Sequence, residues 1–125
     1  MTESRMQGFA AGRYAAIDIG TVTCRMLVAD IDGAGLLHEL RREYAITNLG
    51  EGVDATGTLL PEAMQRVADV VARYRAILDA CEPGDGDGIT VTAVATSASR
   101  DARNADEFVA LLVEEGITLS VVPGE

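Results

Sequence analysis

Residues 14–47 read YAAIDIGTVTCRMLVADIDGAGLLHELRREYAIT, and the way this stretch divides decides the fold. A short apolar run closes on Asp18-Ile19-Gly20, and a second run, CRMLVADI, follows Thr21-Val22-Thr23. Within the second run Cys24, Met26, Val28 and Asp30 alternate with Arg25, Leu27, Ala29 and Ile31, the period of a β-strand. Both sets are largely apolar, which predicts a strand inside a sheet covered on both faces. Asp32-Gly33-Ala34-Gly35 supplies the next turn. The segment LLHELRREYAIT (36–47) suits helix or strand; alternation of Leu36, His38 and Leu40 with Leu37, Glu39 and Arg41, straight after a tight turn, favours strand. Three antiparallel strands in a meander are expected over residues 13–48, behind a flexible lead-in of residues 1–12.

Outward from this meander, NLGEGVDATGTL (48–59) reads as a loop. Pro61 then opens a helix, its missing N–H costing nothing at the first helical position. Leu60, Met64, Val67, Val71, Tyr74, Leu78 and Cys81 recur at spacings of three and four, a buried stripe. Arg66, Asp69, Arg73 and Arg75 would form the solvated face. CEPGDGDG (81–88) is a second loop; as an EF-hand it fails, because the twelfth position from Asp85 is Thr96 rather than Glu. A strand follows from Ile89 to Thr96-Ser97, then a helix capped by Asn104 with Glu107 completing a capping box. Phe108, Leu111 and Leu112 line its apolar face, Gly116 ends it, and ITLSVV (117–122) is a last strand. The order β-β-β-α-β-α-β, with a strand–helix–strand tail, predicts an α/β fold with a mixed five-stranded sheet.

Composition narrows the chemistry. With 125 residues the chain is one domain by length, and 48% apolar residues suffice for a core. The net charge is −10, and all ten basic residues are Arg, which removes any Walker-A loop, Schiff base or catalytic Lys. No basic stripe exists for DNA or RNA, and an anionic membrane surface is disfavoured. Cys24 and Cys81 form no metal or redox motif, which suits a reducing cytoplasm. His38, the sole histidine, builds a Ser-His-Asp site only if a partner outside this sequence completes it.

Four segments carry more Gly, Asp, Ser, Thr and Arg than packing requires. Asp18-Ile19-Gly20-Thr21-Val22-Thr23 combines a strand-end carboxylate, a glycine that lets backbone approach, and two hydroxyls, a set suited to phosphate and a divalent cation. It also suits a plain hairpin whose Thr side chains satisfy the turn. Thr96-Ser97-Ala98-Ser99-Arg100 lies beyond a strand's carboxyl end, where ligands of open α/β sheets gather, and Arg100 offers a planar fork for phosphate. Its alternative is an ordinary loop with Arg100 on the surface or paired to Asp101. Leu49-Gly50-Glu51-Gly52-Val53 and Pro123-Gly124-Glu125 read as a turn and a strand end.

Taken in order, AAIDIGTVT (15–23), NLGEGVDATGTLLPEAM (48–64), ATSASRDARN (95–104) and the closing Pro123-Gly124-Glu125 resemble the exopolyphosphatase / guanosine pentaphosphate phosphohydrolase (Ppx/GppA) family, over about residues 14–125. The resemblance implies a ribonuclease-H-like half of the actin-like ATPase superfamily, here the N-terminal half (13–125) of a longer phosphatase. It implies removal of terminal phosphate from polyphosphate, or of the 5′ γ-phosphate of pppGpp, with Mg²⁺, by a protein that is a homodimer at full length. Carried over, Gly20, Thr21 and Thr23 form the first phosphate loop with Asp18 near the metal; Ser97 and Arg100 face the same cleft; Asn104 is a structural helix cap. Val22 stands where the family usually has Asn, removing one polar contact. The family's general-base Glu falls beyond Glu125, which occupies the variable position of its motif, and the second Gly-rich phosphate loop is absent. Residues 1–125 alone are therefore expected to contain no catalytic residue, to bind polyphosphate weakly or not at all, and to self-associate through an exposed apolar face. The competing readings are a sugar- or acetate-kinase-like relative, against which ATSASR and TGTLLPEA speak, and a non-catalytic phosphate or nucleotide sensor, including one for guanosine penta- or tetraphosphate.

Overall fold

The computed structural model describes residues 10–81, 88–95 and 101–121. Three strands, β1 (Gly12–Ile19), β2 (Thr23–Ile31) and β3 (Leu37–Ile46), form the meander expected of the opening stretch. A four-residue helix α1 (Val53–Thr56) and the long helix α2 (Pro61–Ala80) lead to β4 (Ile89–Ala95), helix α3 (Ala105–Glu114) and β5 (Leu119–Val121). The five strands lie in the order β3-β2-β1-β4-β5. β1 is antiparallel to β2 and parallel to β4, which is in turn parallel to β5. This is the mixed five-stranded α/β sheet that the sequence predicts. The loop expected over 48–59 contains α1, which ends on Gly57 at φ 73° with the Gly57 amide donating to the Val53 carbonyl.

One face of the sheet is packed. Ala15, Ile17 and Ile19 of β1, Cys24, Met26 and Val28 of β2, and Ala93 and Ala95 of β4 are buried. Over them lie Met64, Val67, Val71, Tyr74 and Leu78 of α2, with Phe108 and Leu112 of α3 in the same core. Each such side chain contributes on the order of 1.5–3 kcal/mol by leaving water. The expected α2 stripe is therefore the core face, with Leu60 and Cys81 at its ends only half-buried. The buried Tyr74 hydroxyl donates to the Cys24 carbonyl at 2.7 Å, tying the helix to β2. That burial pushes the Tyr74 phenol up to about 12 and the Cys24 thiol likewise to about 12.

The opposite face is not covered by any described residue, which corrects the expectation of a sheet covered on both sides. Register places Asp18, Arg25 and Tyr44 in one cross-strand row and Ala16, Leu27 and Arg42 in the next. Asp18, Arg25, Ala16 and Arg42 are exposed, and Tyr44 is 70% exposed. The apolar composition of β2 misled because Ala29 and Ile31 are buried just past a bulge at which β3 slips by one residue, Leu40, against Val28 and Ala29.

The expected capping box at α3 does not form. Asn104 occupies the N-cap, but its side chain makes no cap bond; it reaches back 45 residues to Leu59. The helix ends as expected: Gly116 at φ 83° donates to Val113, and Ile117 donates to Leu112.

Candidate functional site

The meander delivers three chain segments to one end of the sheet. β1 ends at Ile19, and β2 begins at Thr23. β3 ends at Ile46 opposite Thr23, so the chain enters the 47–59 connection beside the Gly20–Thr23 turn. β4 ends at Ala95, in register with Ile19, at the same end of the sheet. Ligands of open α/β sheets collect at such carboxyl ends.

The turn itself is tight: the Gly20 amide donates to the Thr23 carbonyl at 2.8 Å. Residues 47–50 then seize its outward carbonyls. Gly50 donates to Thr21 at 2.9 Å, while Thr47 and Asn48 both donate to Val22, at 2.9 and 3.0 Å. A trans peptide points the N–H of one residue opposite the C=O of the residue before it, and no cis bond occurs among the described residues. Drawing the Thr21 and Val22 carbonyls into residues 47–50 therefore turns the Val22 and Thr23 amides the other way. Of these two, the Val22 amide makes no backbone hydrogen bond among the described residues. Adjacent backbone donors presented from one turn are the chemistry of an anion cradle. The approach is close: a Cβ on Gly50 would lie 2.4 Å from the Thr21 methyl, which would have to rotate away.

Thr21, Val22, Asn48, Gly50 and Glu51 line a shallow groove of about 330 Å³. Thr21 is exposed and Thr23 half-buried, with Arg25 Nε 3.4 Å from the Thr23 hydroxyl. Val22, the apolar residue in the turn, is 54% exposed. Asp18 does not line this groove. It lies one residue before the end of β1 on the open sheet face, in a neighbouring groove with Arg25, Arg42, Glu43 and Tyr44. No group of three His, Cys, Asp or Glu side chains suited to a metal exists among the described residues. Mg²⁺ bound mostly by substrate phosphates and water needs only one or two protein carboxylates, and exposed Asp18 fits that mode. Ser97, Arg100 and Glu125 lie outside the described residues.

The sequence reading missed the partners that hold the turn. Arg66, expected on the solvated face of α2, donates to the carbonyls of Thr47 and Asn48 and to Glu51. The Arg103 amide donates to Gly57 and its guanidinium to Thr56, while Asn104 both accepts from and donates to the Leu59 backbone. A short alternation of Gly, Asn and Thr between two elements was the available signal, but nothing in it names an Arg 15 or more residues away. A larger groove of about 590 Å³ lies at the opposite end of the sheet, among Arg13, Asp30, Asp32 and His38. Its charged groups face each other: Arg13 is bidentate to Asp30, and His38 meets Asp32 at 2.7 Å.

No described helix is long and apolar enough to cross a membrane. The model of the Ppx/GppA phosphatase family matches residues 27–125. Exopolyphosphatase 2 of Mycobacterium tuberculosis is 43% identical over 109 residues, covering 84% of this chain and 32% of that protein. A bifunctional 3-dehydroquinate synthase/phosphatase of Fusobacterium nucleatum is 31% identical over 116 residues, 89% of this chain and 17% of that protein. Among solved structures, the Ppx/GppA family member of Aquifex aeolicus superposes with a TM-score of 0.78 at 32% identity, over 90% of this chain and 35% of that one. An exopolyphosphatase of Cytophaga hutchinsonii gives a TM-score of 0.77 at 31% identity, over 89% and 34%. The chain thus spans about a third of the length of the exopolyphosphatases it matches. The sheet shared with the Aquifex protein and the family-model match over residues 27–125 converge: this chain belongs to the Ppx/GppA phosphatase family.

Proposed function

We propose that residues 13–125 are the N-terminal domain of a phosphoanhydride hydrolase that releases terminal phosphate from inorganic polyphosphate, with the 5′ γ-phosphate of pppGpp as the second substrate. The observation that carries the reading is the Gly20–Thr23 turn, whose carbonyls are taken by residues 47–50 while the Val22 and Thr23 amides face away. Names of the relatives, exopolyphosphatase in two of them, support polyphosphate first. In this reading a terminal phosphate rests on those amides and on the Thr21 and Thr23 hydroxyls, and Ser97 and Arg100 complete the grip. Asp18 would hold Mg²⁺, whose chemistry is to neutralise phosphate oxygens. Water attacks the terminal phosphorus, the bridging P–O bond breaks, and orthophosphate leaves with the shortened chain. No residue of this chain is assigned as the base that takes the proton. A net charge of −10 opposes a polyanion, so most substrate attraction belongs to the remainder of a longer, cytoplasmic, dimeric protein.

The test is phosphate release from long-chain polyphosphate and from pppGpp, each with Mg²⁺. It compares the complete gene product, its Arg100→Ala variant and residues 1–125 alone. Release by the complete protein, at least tenfold lower in the variant and absent from the piece, is expected. Binding of either substrate without release would replace the reading by a sensor.

A further inference from the structure

We propose that Arg66 is a positioning residue of the phosphate site, acting through residues 47–51 as a strap behind the Gly20–Thr23 turn; this rests on the reading of that turn as phosphate-binding. Arg66 lies in the second turn of α2, and its side chain is 39% exposed. Its Nε donates to the Thr47 carbonyl at 2.7 Å, and its Nη2 to the Asn48 carbonyl at 3.2 Å and Glu51 Oε1 at 2.7 Å. Thr47 and Asn48 are the same two residues whose amides hold the Val22 carbonyl. A guanidinium on their carbonyls and Val22 on their amides thus sandwich one short piece of backbone.

Three further features show that the strap depends on this clamp. Thr47 is wholly buried and its hydroxyl has no partner among the described residues, so its backbone bonds are its polar anchors. Asn48 is the one non-glycine residue at positive φ among those described, at 50°, a conformation Asn tolerates and the bend requires. The Asn48 carbonyl also accepts from the Glu51 amide, so Arg66 and Glu51 close the bend together. A cation on a carbonyl polarises the backbone it belongs to and strengthens the amides donated onward. Arg66 therefore sets the plane of the Val22–Thr23 peptide, and with it the direction of the Thr23 amide, without touching substrate. Lys cannot replace it, because one ammonium does not span two carbonyls and a carboxylate in a fixed fork.

The experiment compares the complete gene product with its Arg66→Met and Arg66→Lys variants, reading polyphosphate KM and kcat, melting temperature and amide exchange. Both variants are expected to raise KM at least tenfold with kcat within threefold. Exchange should accelerate at least tenfold in residues 20–24 and 47–51 and stay unchanged in residues 71–80. Millimolar methylguanidinium should restore the KM of Arg66→Met, since the site is partly open to solvent. Unchanged KM and exchange would overturn the proposal; so would a uniform loss of stability and kcat without guanidinium rescue, which marks a purely structural Arg. If the parent protein releases no phosphate, the functional reading fails by itself. The exchange comparison then still decides whether Arg66 holds the turn, with localised acceleration supporting the clamp and uniform exchange refuting it.

Discussion

The β1–β2 turn at one end of the sheet and the β2–β3 turn at the other both join antiparallel neighbours, yet their polar groups are satisfied in opposite ways. The β2–β3 turn closes on itself. Asp32 accepts from the amides of Ala34 and Leu36 and meets His38, all within six residues. Hydrogen bonding from His38 holds the Asp32 carboxyl below its ordinary range. Beyond its Gly20–Thr23 closure the β1–β2 turn is satisfied from outside, by backbone 25 or more residues on, and its Thr21 and Val22 side chains stay exposed. A turn that spends its side chains on its own amides is finished; one whose carbonyls are held by distant chain keeps amides and hydroxyls for something else.

The contrast is broken most severely at Gly50. In Gly50→Ala the added methyl meets the Thr21 methyl at 2.4 Å and forces Thr21 to rotate. The expected cost is about 1 kcal/mol of stability, with a larger effect on phosphate release, at least tenfold in KM, measured on the complete protein. Next comes Asn104→Ala, which leaves the Leu59 amide and carbonyl without their amide partner. That should cost about 1 kcal/mol, seen as a lower melting temperature; Asn104→Asp, which keeps the acceptor and loses the donor, should fall between. At the self-contained turn Asp32→Asn should melt slightly below the parent at pH 7. A carboxyl with a lowered folded pKa stabilises above its free value of 3.8 and loses that contribution as pH falls through the folded value, so the gap should close in acid. Smallest of all is Gly33→Ala: nothing lies within 4 Å of the new methyl, and the melting temperature should not move. Equal responses to Gly50→Ala and Gly33→Ala would erase the distinction between the two ends.

Much of this architecture was legible because local chemistry and tertiary role agree. The 24/26/28 alternation, Pro61 at the head of α2 and Gly116 at the tail of α3 each act within a few residues, and each is found where the pattern put it. The turn residues Gly20, Thr21 and Thr23 were legible as a group for the same reason. What escaped was long-range: Arg66 reads as a surface residue until β3 is seen to end beside Thr23, and Asn104 reads as a cap until Leu59 is found opposite it. The open face of the sheet escaped too, because alternation reports two faces but not which of them another element covers. Asp18 was legible as a strand-end carboxylate, but the pleat sends it to the open face rather than into the groove of Thr21 and Val22.

The sheet order has a consequence for synthesis. β1 is central, and its neighbours arrive at very different times. β2 is made at once, so the meander can zip as soon as Ile46 clears the ribosome. The other edge of β1 waits through the strap and all of α2 before β4 is translated. For that interval Ala15, Ile17 and Ile19 sit in a strand with one bare edge, the kind of template that pairs with the wrong chain. α2 emerges in time to shield the apolar face but not that edge. A nascent chain paused between residues 46 and 89 carries that bare edge, and Ile19, beside the turn, gains its β4 partner only when Ala95 has been added.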